Sequence, residues 1–103
     1  MTARYEKRVE MRDIRRVLKV TFAPDPEVHD PGVAVIAIRT NNLMFCEIAR
    51  NVFLVMTPGP NYGGEREMEE DLNENAVGGT YSVGRASQDE LDAFDREDGL
   101  LHN

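Results

Sequence analysis

The chain has 103 residues, 41% of them hydrophobic and 30% charged, with a formal net charge of −7 at pH 7. That is the length of one domain and the composition of a folded one, which excludes an intrinsically disordered chain. With no Trp and 7% aromatic residues, the chain is a poor source of an aromatic cage or a base-stacking platform.

Charge is distributed unevenly. Residues 1–20 carry seven basic and three acidic side chains, 21–64 carry two and four, and 65–103 carry three and twelve. The two ends are therefore electrostatically opposite. The opening residues lack the apolar core of a secretory signal. No uncharged apolar run approaches the ~20 residues that span a bilayer. The one cysteine, Cys46, lies in the apolar run Leu43-Met-Phe-Cys46, the usual setting of a buried, inert thiol. A cytoplasmic location, or one inside a virion assembled in the cytoplasm, is expected, with no membrane contact.

Residues 4–16 fit two periods. As a strand, Tyr5, Lys7, Val9 and Met11 share a face. As a helix, Arg4, Arg8, Arg12, Arg15 and Lys19 line one side, and the abundance of Arg, Glu, Lys and Met favours the helix. Leu18, Val20 and Phe22 then alternate as a strand near 17–23. Residues 24–32 contain three prolines and form a loop.

The stretch Val33 to Met56 is densely apolar, and it is expected to supply most of the core, Ile36 and Phe53 included. Val33-Ala-Val-Ile-Ala-Ile38 is short, apolar and rich in β-branched residues, so it reads as a buried strand near 33–40. Asn41-Asn42 suits a hairpin turn, because Asn tolerates positive φ. A returning strand near 43–49 would set Ile38 opposite Phe45 and Glu47 opposite Ile36. The rival reading makes Asn42 an N-cap and 43–50 a short helix. A further strand near 52–57 ends at Pro58-Gly-Pro60.

Glu65 to Ala76 reads as an acidic helix between Gly63-Gly64 and Gly78-Gly79. Only Met68, Leu72 and Ala76 fall on one stripe, so residues 63–79 are expected to form a glycine-flanked acidic arm. Residues 80–84 read as an edge strand. Ser87 and Glu90 match a capping box that opens a C-terminal helix near 88–98. The fold class is α+β, a small antiparallel sheet with three helices in a single domain, 1–103.

Little in the chain points to chemistry. Asp25, Glu27 and His29 alternate along the proline loop, but zinc sites draw His and Cys ligands from a defined scaffold. Ser82 and Ser87 lie in no nucleophile motif and have no His nearby in sequence. Glu69-Glu-Asp71 presents its carboxylates about 100° apart on a helix and lacks the order of a calcium loop. Gly59 to Gly64 is glycine-rich without a phosphate-binding pattern, and an acidic helix follows it. No catalytic, cofactor-binding or metal residue is assigned, and no cofactor is expected. The expectation is a non-catalytic interaction protein, a small structural or assembly subunit of a larger complex such as a virion component. Its partners are proteins, copies of the chain among them, engaged through Met68, Leu72, Glu69, Glu70 and Asp71 of the arm and through Arg8, Arg12 and Arg15. The alternative is an acidic stoichiometric inhibitor or regulator of a nucleic-acid-handling complex. Direct nucleic-acid binding is not expected, since no known motif frames the arginines.

Overall fold

The computed structural model describes residues 17–59 and 61–96. The expected N-terminal helix, with Arg8, Arg12 and Arg15, lies outside the described residues. Along the chain come β1 (Val17–Pro24), a 3-10 turn (Pro31–Val35), α1 (Ile36–Thr40), β2 (Phe45–Ala49) and β3 (Val52–Met56). There follow α2 (Glu65–Glu74), β4 (Gly79–Arg85) and α3 (Gln88–Arg96). The strands form one antiparallel sheet in the order β2-β3-β1-β4. The α+β class, the acidic helix and the strands at 17–24, 45–49, 52–56 and 79–85 agree with the sequence reading.

Alternation builds the core face of the sheet. Leu18, Val20 and Phe22 of β1 are buried, and their register partners Val55, Phe53 and Tyr81 share that face. Ala34, Ala37, Ile38, Leu43, Met68 and Leu72 complete the same cluster. On the far face Leu54 pairs with Cys46 in a smaller cluster flanked by Val17, Met56 and Ala86. β3 is therefore apolar on both faces, whereas β1, equally central, carries Lys19 and Thr21 on the far face. Gly79 sits where β4 crosses the end of β1. A Cβ there would run into the Ala23 carbonyl oxygen and the Phe22 ring.

The expected strand at 33–40 is instead the 3-10 turn followed by α1. Ala34, Ala37 and Ile38 are the buried positions, a spacing of three and four that belongs to a helix. Asp30 begins the turn: its Oδ1 accepts the Gly32 N–H at 2.8 Å, and Pro31 takes the first position. That is the order in which helical segments start. Ile36, expected in the core, is 37% exposed, whereas Ile38 is fully buried.

Asn41-Asn42 consequently turns no hairpin. It closes α1. Leu43 N–H donates to the Ile38 carbonyl and Asn42 N–H to the Arg39 carbonyl, with Asn42 at φ 58°. These are the two bonds of a Schellman motif, with Asn in the left-handed position that glycine usually takes. The hairpin lies one element later, where Arg50-Asn51 joins β2 to β3 with Asn51 at φ 61°. Residues 43–50 are not helical. Glu47 faces Phe53 across the strands and remains exposed at the sheet edge.

Candidate functional site: the acidic helix and its mounting

α2 starts at Gly64, whose φ of 105° suits a residue without Cβ. The N-cap has no side chain to satisfy the free N–H groups of the first turn, and Glu65 and Glu67 lie there, where the helix dipole favours negative charge. The Glu67 carboxylate also accepts the Gly63 N–H at 2.8 Å.

The inner stripe of the helix is packed into the domain. Met68 and Leu72 are 0% exposed and belong to the main core cluster. Burial of two such side chains contributes on the order of 3–6 kcal/mol, and hydrogen bonds add to it. The Asn73 side-chain amide meets the outer edge of β4 at both groups of one residue. Its Oδ1 accepts Tyr81 N–H at 2.8 Å and its Nδ2 donates to the Tyr81 carbonyl at 3.0 Å. One step along, Glu69 Oε1 accepts Val83 N–H at 2.9 Å. Asn73 thus supplies the donor and acceptor that a neighbouring strand would have offered. Tyr81 ties a third element into the same place: its ring packs on Phe22 with centroids 4.8 Å apart, and its hydroxyl donates to the Ala34 carbonyl at 2.7 Å.

On the opposite side the Tyr62 hydroxyl donates to Asp71 Oδ2 at 2.8 Å. Burial, then the hydrogen bond to Asp71 and its charge, push the Tyr62 phenol well above its ordinary value, so it stays protonated and remains the donor.

These contacts sort the residues that the sequence proposed for partner binding. Met68 and Leu72 are core. The Glu69 and Asp71 side chains serve the fold, one on the β4 edge and one on Tyr62. Glu70 points outward, with Arg66 only at 3.9 Å and both side chains well exposed. Glu74, which is not among the partner-binding residues that the sequence proposed, is exposed too. The signal for it was present: Glu67, Glu70 and Glu74 recur at spacings of three and four, away from the Met68–Leu72 stripe.

Elsewhere the structure gives ordinary roles to the groups with chemical potential. Ser87 and Glu90 form the expected capping box, with Ser87 Oγ accepting Glu90 N–H at 3.1 Å and Glu90 Oε1 accepting Ser87 N–H at 2.8 Å. Glu90 Oε2 also pairs with Lys19 at 3.0 Å and so fixes α3 to β1. The Ser87 N–H first, and Lys19 second, hold the Glu90 carboxyl below its ordinary pKa. Asp30 caps the 3-10 turn. Cys46, the single cysteine, is buried and in no disulfide. Among the described residues, no three His, Cys, Asp or Glu side chains gather as metal ligands, and no helix is long and apolar enough to cross a membrane. No family model, curated protein or solved structure matches the chain.

Proposed function

We propose that this chain is a non-catalytic interaction protein, a small structural or assembly subunit that joins a larger complex, such as a virion, through its charged surfaces. One observation supports the reading above others: the outward carboxylates of α2 stand on a helix fixed at both flanks and along its base. A surface held in place before binding loses little conformational entropy on association. The basic residues of 1–16, Arg8, Arg12 and Arg15 among them, give a neighbouring copy the complementary charge. A contact in which one patch meets a different patch on the next copy is heterologous, and it builds rings or filaments.

The test is light scattering after size exclusion, at low and at high salt. Association of the parent should weaken as salt screens the charges. The variant Glu70→Lys with Glu74→Lys should stay monomeric at low salt with its thermal midpoint preserved. Unchanged association in that folded variant refutes the acidic face as the contact.

The second reading, an acidic inhibitor of a nucleic-acid-handling complex, draws on the same row of carboxylates. Positions three and four apart on a helix are about 4.5–6 Å apart along the axis, a row of negative charge that a basic groove can accept in place of phosphates. Competition separates the two: an inhibitor is displaced from its target by nucleic acid, and a lattice subunit is not.

A further inference from the structure

The turn between β2 and β3 contributes to a second feature, unrelated to α2. The end of β1, the proline loop and this turn enclose a cleft of about 90 Å³. Phe22, Val28 and Val33 give it apolar walls, and His29, Arg50 and Asn51 stand around them. The turn is locked to the sheet, because Phe22 N–H donates to the Asn51 carbonyl at 2.8 Å. Among the described residues, no hydrogen bond or ion pair engages the side chains of His29, Arg50 or Asn51. In a chain of net charge −7, an arginine facing a cleft without a carboxylate partner stands out. The Asp30 carboxylate lines the cleft too; its Oδ1 accepts the Gly32 N–H at 2.8 Å, which holds it in the 3-10 turn and leaves Arg50 as the cation on the opposite wall.

We propose that this cleft binds a carboxylate carried on a short apolar stem. Arg50 and the Asn51 amide meet the carboxylate, since a guanidinium fork and an amide N–H₂ both donate to carboxylate oxygens. The stem lies against Phe22 and Val33. A free small acid and the C-terminal residue of another protein share this chemistry. The cleft shares no residue with the acidic face of α2, so this proposal and the assembly reading fail independently.

The test is a titration of the full chain followed by amide NMR shifts at constant ionic strength, with butyrate, N-acetylvaline, butyramide and inorganic phosphate as probes. Butyrate and N-acetylvaline should give saturating shifts confined to residues 22, 28–33 and 50–51. Tighter binding of N-acetylvaline identifies a chain end as the ligand, and tighter butyrate a free acid. Arg50→Gln should weaken binding about tenfold or more, since a charge-assisted bond is lost. Asn51→Asp keeps a residue that tolerates the left-handed turn and sets a carboxylate in the rim, so it should weaken binding as well. Shifts that do not saturate, equal responses to butyramide or phosphate, or full binding in both variants would overturn the proposal.

Discussion

Asn73 offers the sharpest test of how α2 is mounted. Asn73→Ala removes both hydrogen bonds to Tyr81, at 2.8 and 3.0 Å, and leaves a strand residue with donor and acceptor unfilled. Each such bond is worth about 0.5–1.5 kcal/mol net, so the loss should be about 1–3 kcal/mol. The site is only part-buried, and water entering it moves the result toward the lower end. Against a stability of about 5–15 kcal/mol the effect is readily measured by urea unfolding, with the slope unchanged. In thermal unfolding it corresponds to a fall of at least about 4 °C. Asn73→Asp isolates the two bonds: it keeps the acceptor for Tyr81 N–H but places a carboxylate oxygen against the Tyr81 carbonyl, so it should cost at least as much as losing one bond. Amide exchange at Tyr81 should quicken in the Ala variant while that of Val20 stays slow. A midpoint within error of the parent, with Tyr81 protection intact, would refute the bridging role of Asn73.

Four further outcomes follow from the packing and the charges. Met68→Ser with Leu72→Ser should unfold the domain outright: a single buried Leu or Met truncated to Ala already costs about 2–5 kcal/mol, and an independently folded remainder would show that 63–79 is an arm separable from the core. Ile38→Ala should cost several times more than Ile36→Ala, because Ile38 is fully buried and Ile36 is 37% exposed; equal thermal midpoints would contradict the helical reading of 33–40. Tyr81→Phe should lower stability by about 1–2 kcal/mol by orphaning the Ala34 carbonyl, and a neutral result would dissolve the link between β4 and the 3-10 turn. Glu90 has a lowered pKa in the folded chain, so its contribution is present at neutral pH and is lost as pH falls through that value, below its ordinary 4.5. Lys19→Met should make that part of the stability profile shallower without abolishing it, because the Ser87 N–H still holds the carboxylate, as read from urea midpoints between pH 3 and pH 6.

The strands and two of the helices were legible because their signals were local. Leu18, Val20 and Phe22 alternate, Ser87 and Glu90 cap, and Met68 with Leu72 marks the inner stripe of α2. The segment 33–40 was misread because apolar residues fill it. When Val33, Val35 and Ile36 are as greasy as Ala34, Ala37 and Ile38, no period shows, and length alone favours a strand. The deciding signals lie outside the run, in Asp30-Pro31 before it and Asn42 after it. The mounting of α2 was not legible for a different reason. The stripe says that two side chains can be buried and does not say in what, and the amide of Asn73 finds Tyr81 only once β4 lies beside it. Glu69 and Asp71 looked like surface charge for the same reason: their partners are a strand amide and a phenol fourteen and nine residues away.

Asn73 and Glu69 also bear on how the protein behaves when crowded. A sheet whose last strand shows bare amides and carbonyls invites a stranger's strand to add to it, and that growth has no natural end. β4 is a seven-residue last strand, long enough to recruit one. Here two side chains occupy the positions a stranger would claim, so the sheet stops at β4 without an extra strand, a proline or a bulge to block it. For a protein that accumulates at high local concentration, strand addition along the middle of β4 is thereby blocked, and β2 is left as the edge of the sheet that still offers its backbone.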